Sequence, residues 1–126
     1  MHAPSQSALR VARFVGVAAI TVAAANHGRL AAGGVGDVAR HELFAGLDLA
    51  LAVLLAVKPR WALAPTAVMS AQQMWSHGSD LIDSMRGPGP IDVVSALVAV
   101  FFPALLALLA IERRAHVRAC TDVGKT

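Results

Sequence analysis

Four apolar stretches, separated by short polar or glycine-rich turns, set the pattern of this chain. The first covers about residues 11–32 and is densest over 14–25, and the second covers 42–57 and stops at Lys58-Pro59-Arg60. The third starts at Trp61 and reaches about Leu81, and the fourth covers 91–111 and stops at Glu112-Arg113-Arg114. Crossing about 30 Å of hydrocarbon takes roughly 20 helical residues. The pattern predicts helices at about 10–32, 41–58, 61–81 and 90–112. Only the fourth apolar run, at 21 residues, is comfortable by that measure; the second has 16 and must borrow His41 upstream or sit in thinner lipid. Pro103 predicts a kink, tolerated where a neighbouring helix satisfies the backbone carbonyl left without its N–H.

The turns are short. Gly33-Gly34-Val35-Gly36-Asp37 separates the first pair and Gly87-Pro88-Gly89-Pro90 the second, while Lys58-Pro59-Arg60 joins the middle segments with almost no slack. Such connections hold consecutive helices antiparallel and adjacent. The fold expected over residues 1–126 is therefore one all-α, integral-membrane four-helix bundle.

Composition agrees with that expectation. Of 126 residues, 56% are hydrophobic and 15% charged, where soluble domains carry about 45–50% and 25%. The mean hydropathy is +0.60. A chain this short would leave much of its residue set at the surface, and here that surface has to be apolar. A soluble monomer, a disordered tail and a disulfide scaffold built on the lone Cys120 are excluded.

The net charge of +3 comes from eleven Lys and Arg against eight Asp and Glu. These cations sit singly or in pairs at the edges of apolar runs, so they build no basic face for nucleic acid. They orient the chain instead. With the N-terminus inside, Arg10, Arg13, Lys58, Arg60, Arg113, Arg114, Arg118 and Lys125 are cytoplasmic and only Arg29, Arg40 and Arg86 are external. Both termini are expected in the cytoplasm, where Cys120 stays reduced and idle. Arg10, Arg13 and the small residues Ala23, Ala24 and Ala25 also resemble a signal peptide. Cleavage there leaves three spans and spoils the charge bias, so a retained first helix is expected.

That orientation gathers ionisable groups at one end. His27, His41 and His77 fall at the outer ends of the first three helices, with Asp37, Glu42, Asp80, Asp83 and Asp92 on the same side. Asp37 and Asp83 read as a solvated rim. Asp48 lies about 9 Å deeper than Glu42 at 1.5 Å per residue, where a carboxylate is costly without a partner. His41 and Asp48 share one face of the second helix, and Gln73, His77 and Asp80 form a polar stripe on the third, with Ser70 one turn deeper. His27, His41, Glu42, Asp48, Gln73, Trp75, His77 and Asp80 are the expected ligand-binding residues.

Several occupants fit this pocket. A quinone or similar amphipathic ligand suits His and Asp as head-group partners, with Phe44, Met74 and Trp75 beside a ring. A b-type haem between His27 and His77 is a second reading. A third is a hydrogen-bond network that holds the helices together. No spacing matches a dedicated metal signature, and no metal site is assigned. Trp61 and Trp75 read as interfacial anchors. No nucleophile with its base and no phosphate loop appears, so a subunit or accessory protein is expected rather than an independent enzyme. Ala25-Asn26-His27-Gly28 and Trp75-Ser76-His77-Gly78 stand fifty residues apart at equivalent places, either through a duplicated helix hairpin or by chance in a narrow alphabet.

The order of these features resembles a known family. Arg13 and His27-Gly28-Arg29-Leu30 bracket the first helix, Glu42 opens the second before Phe44-Ala45-Gly46-Leu47-Asp48-Leu49-Ala50-Leu51, and Lys58-Pro59-Arg60 precedes the segment bearing His77. Over about residues 10–111 this looks like the DoxX-like group of small four-helix bacterial membrane proteins. The family's usual Lys near the end of helix one is Arg29 here, and Asp48 departs from its pattern. The resemblance implies membrane redox chemistry, as in subunits of thiosulfate:quinone oxidoreductases, with Glu42 and the Gly46 face mattering most. It implies a location in the bacterial cytoplasmic membrane, with the lipid bilayer and other membrane subunits or further copies of the chain as partners.

Overall fold

Ser5 and Asp37 start the first two helices by the same device, a side-chain oxygen accepting from a backbone N–H three residues on (Ala8 N at 3.2 Å and Arg40 N at 3.1 Å). The computed structural model describes residues 5–123, with side chains as far as Val117. Among the described residues the chain forms four helices and no strand: α1 (Gln6–Ala32), α2 (Val38–Val57), α3 (Pro59–Arg86) and α4 (Val93–Val123). The side chains of Arg118 and Cys120, and the residues His2 and Lys125, lie outside what is described.

Each helix departs from the bounds expected from hydropathy. α1 begins four residues early, at the Ser5 cap, and α2 begins at Val38 because Asp37 caps it. α3 starts at Pro59, whose fixed φ suits a first helical position, and runs on through the polar residues after Leu81 to Arg86. α4 continues past Glu112-Arg113-Arg114. Hydropathy marks where hydrocarbon would end, whereas caps and turns mark where helices end. Two helical stretches are long and apolar enough to cross a membrane, Gln6–Ala32 and Val93–Val117.

The chain divides into two compact units, Met1–Ala62 and Leu63–Thr126. In the first, α1 and α2 form a hairpin closed by a glycine turn. Gly34 N bonds Ala31 O and Val35 N bonds Leu30 O, both at 3.0 Å, with Gly34 in the left-handed region at φ +64°. This pair of bonds is the Schellman ending of a helix, which requires a left-handed residue. The buried stripe of α1 is Leu9, Gly16, Ile20 and Ala24, and that of α2 is Asp48, Leu51, Ala52 and Leu55.

The second unit pairs α3 with α4. Ser70 Oγ donates to Phe102 O at 3.2 Å, beside Pro103, which lies within α4. The carbonyl that the missing N–H of Pro103 frees is that of Ala99, so the Ser70 bond ties the two helices beside the proline without replacing the lost one. Buried positions here include Thr66, Ser70, Gln73 and Ser95. Exposed positions in the same unit include Val68, Trp75, Ile82, Leu97 and Val100. Met69, Phe102, Leu105 and Leu109 are buried beside those polar groups, so the interior of this unit is mixed while large apolar side chains also face outward.

Candidate functional site

Each hairpin places a histidine near the end of its first helix, and that histidine reaches the opening turns of the second. In the first, His27 Nδ1 and His41 Nδ1 are 2.9 Å apart. Their ring centroids are 5.2 Å apart, and the Phe44 ring lies 5.6 Å from His27. The guanidinium carbon of Arg40 stands 5.8 Å from the Phe44 centroid. Both histidines are half-buried. The hydrogen bond has one proton, so one ring is an Nδ1–H tautomer and the other accepts.

In the second hairpin the bonding forms a chain. His77 Nδ1 is 3.0 Å from Ser95 Oγ, and Ser95 Oγ donates to Asp92 Oδ2 at 2.7 Å. Asp92 Oδ1 accepts from Ser95 N at 3.0 Å and so caps the first turn of α4. Asp92 N in turn donates to Ser84 Oγ at 3.1 Å, tying the start of α4 to the end of α3. The Ser95 bonds, backbone first and hydroxyl second, hold the Asp92 carboxyl below its ordinary value of 3.8.

The two hairpins share this plan. His27-Gly28 and His77-Gly78 end the paired motif, and Asp37 and Asp92 each cap the helix that follows. Each histidine's Nδ1 meets a side chain within the first four residues of that helix, His41 or Ser95. The two motifs noted in the sequence thus occupy matching places in their own hairpins.

Within each hairpin, none of the hydrogen bonds of these clusters reaches the remaining expected site residues. Asp48 is 1% exposed, and its Oδ1 has no hydrogen-bond partner among the described residues. It is two turns along α2 from His41, or about 10.5 Å. Glu42 and Asp80 are exposed. Gln73 is buried, but Asp80, on the same flank of α3, lies beyond the buried stretch. Trp75 is 84% exposed and stacks on no described ring. Its expected role as an anchor suits that exposure better than a place beside a bound ring. No group of three or more His, Cys, Asp and Glu side chains gathers as a metal would need among the described residues.

Sequence reasoning left Ser95 out and counted Asp92 only as an outer acid. The available signal was Asp92-Val93-Val94-Ser95 at the start of an apolar run, an N-cap with a hydroxyl three residues on. No protein-family model matches this chain, and no curated protein or solved structure matches it either.

Proposed function

We propose that this chain is a multi-pass protein of the bacterial cytoplasmic membrane, a four-helix bundle with both termini in the cytoplasm. In this reading it is a redox-linked, DoxX-like subunit that binds a quinone or similar amphipathic head group at the histidine-bearing ends of its helices. The membrane part is supported by the two stretches able to span, Gln6–Ala32 and Val93–Val117, and by the apolar exposed positions beside buried Thr66, Ser70, Gln73 and Ser95.

The ligand part rests on the His77–Ser95–Asp92 chain. A half-buried imidazole fixed by a hydroxyl and a carboxylate is held in one orientation with its other nitrogen left to a ligand. His77 Nε2 has no partner among the described residues. The test is solvent extraction and difference spectroscopy of the detergent-purified chain. Quinone or its reduced form is expected in the extract and depleted in His77→Ala. Unchanged content in that variant overturns the reading, and a Soret band replaces quinone with haem.

A second reading is a non-catalytic accessory subunit that docks on a larger membrane complex. It is favoured by an open apolar groove of about 530 Å³ along α2, lined by Gly46, Leu49, Ala50, Val53, Leu54 and Val57. A larger partner recovered in fixed stoichiometry by native purification supports it, and a stable free homo-oligomer opposes it.

A further inference from the structure

We propose that His77 acts as a hydrogen-bond acceptor through Nε2, and that the site therefore selects a lipid-soluble hydroxyl donor, a hydroquinone over its quinone. The inference rests on the reading above that a quinone-class head group binds here. It follows from counting protons along the chain of side chains.

Ser95 has one hydroxyl hydrogen. Its contact with Asp92 is 2.7 Å and its contact with His77 is 3.0 Å. The shorter contact has the length of a charge-assisted O–H···O⁻ bond, the stronger class. Asp92 stays ionised because two Ser95 bonds favour the carboxylate. The hydroxyl hydrogen is thereby committed to Asp92. Ser95 Oγ can then only accept from His77, so Nδ1 carries a proton, and in the neutral ring Nε2 is the nitrogen that presents a lone pair.

A quinone offers carbonyl oxygens, all acceptors, and an acceptor facing a lone pair forms no bond. A hydroquinone offers O–H groups that donate to Nε2. Of the nearby donors, the Ser79 hydroxyl is turned back onto the α3 backbone at Trp75 O and Ser76 O, and the Trp75 indole is 84% exposed, so the selection rests on Nε2 itself. Asp80, one turn along α3, accepts only, and the Gln73 amide one turn the other way is buried. Arg86 is nine residues on, about 13.5 Å along the helix. Met74 and Leu81, one turn to either side of His77, supply apolar surface, which favours a hydroxyl carried on an apolar body. Ser95 is a positioning residue in this scheme, since it acts on the ligand only through His77.

Two measurements on the full chain in lipid nanodiscs test this. In a two-bond proton–nitrogen spectrum of ¹⁵N-histidine protein, the signal lost in His77→Gln is expected to show Nδ1 protonated and Nε2 bare. Ser95→Ala is expected to shift it toward a tautomer mixture, and Ser95→Thr to restore it. An Nε2–H tautomer in the unmodified chain overturns the inference. In the second measurement, a short-chain hydroquinone under anaerobic reduction should bind roughly tenfold tighter than its quinone, the worth of about one hydrogen bond. That preference should vanish in Ser95→Ala and return in Ser95→Thr. Equal or reversed affinities with Nδ1 protonated overturn the selectivity alone. Binding of neither form, with the tautomer as expected, overturns the quinone-class reading beneath it.

Discussion

The Nδ1 atoms of His27 and His41 lie 2.9 Å apart across the α1–α2 turn, so a single proton joins the two rings. This bond spans the turn that closes the first hairpin, and it competes with nothing in the backbone ladder. Its expected strength is that of a neutral, half-buried hydrogen bond, about 0.5–1.5 kcal/mol.

His27 also stacks near Phe44, so a single His27→Ala variant mixes several losses. A double-mutant cycle of His27→Ala and His41→Ala isolates the pair. The expected coupling is about 1 kcal/mol, read from unfolding in mixed detergent micelles. Additive single-variant costs would show that the rings touch without a bond.

The glycines separate into two kinds. Gly34 has φ +64° and ends α1, so Gly34→Ala is expected to cost about 1–2 kcal/mol from left-handed strain. Gly28 and Gly46 are helical, and a Cβ at either meets nothing within 4 Å. Gly28→Ala and Gly46→Ala are expected to stabilise the isolated chain by about 0.5–1 kcal/mol. Thermal melts of the three variants check the signs. If Gly46→Ala also abolishes recovery of a larger partner, the α2 groove is the docking face.

Asp48 is a buried carboxyl with one oxygen unpartnered. Asp48→Val is expected to leave stability equal or raise it by about 1–3 kcal/mol, the desolvation cost of the unpaired group, read from unfolding in detergent micelles. A variant that melts earlier would show that the carboxyl contributes to the packing of α2.

Much of the secondary structure was legible because apolar runs broken by Gly, Pro and charge are a local signal. The four helices and their turns follow from it, and so does the gathering of His27 with His41, which sit on either side of one short turn. Helix ends were less legible. Asp37 and Asp92 read as outer acids when only side and charge were considered, yet both are caps, a role fixed by the residue three positions on. Ser95 was invisible as a partner of His77 because their meeting depends on how the turn at 87–92 brings α4 back to α3. Gln73, His77 and Asp80 share a helical face, but periodicity alone does not say where along that face burial stops. It stops between Gln73 and Asp80, which leaves Asp80 outside.

The cap at the start of α4 carries a pH dependence whose sign can be worked out. Asp92 in the folded chain titrates below its ordinary 3.8 because Ser95 N–H and O–H favour the carboxylate. A lowered folded value means the group's contribution is complete above the unfolded value and is lost as pH falls through the folded one. Melting points should thus be flat above about pH 5 as far as Asp92 is concerned and fall below 3.8. Asp92→Asn keeps a capping side chain but has no proton to gain, so it should flatten that acid limb. An acid limb of equal slope in Asp92→Asn would assign the loss to other carboxyls.

Topology can be tested without altering the chain, because Cys120 is its one cysteine. The proposed orientation puts eight of eleven Lys and Arg on the cytoplasmic side, with Cys120 beyond the fourth apolar stretch on that side too. A membrane-impermeant maleimide should leave Cys120 unmodified in intact cells and label it in inverted vesicles. Labelling in intact cells would reverse the orientation and place Arg29, Arg40 and Arg86 inside, against the bias that the other eight cations set. It would also turn the His27, His41 and His77 ends toward the cytoplasm. The hydrogen bonds of each hairpin would stand, but the ligand would then have to reach His77 from the opposite leaflet. Labelling confined to inverted vesicles keeps the histidine ends on the outer face, where the proposed head group is met.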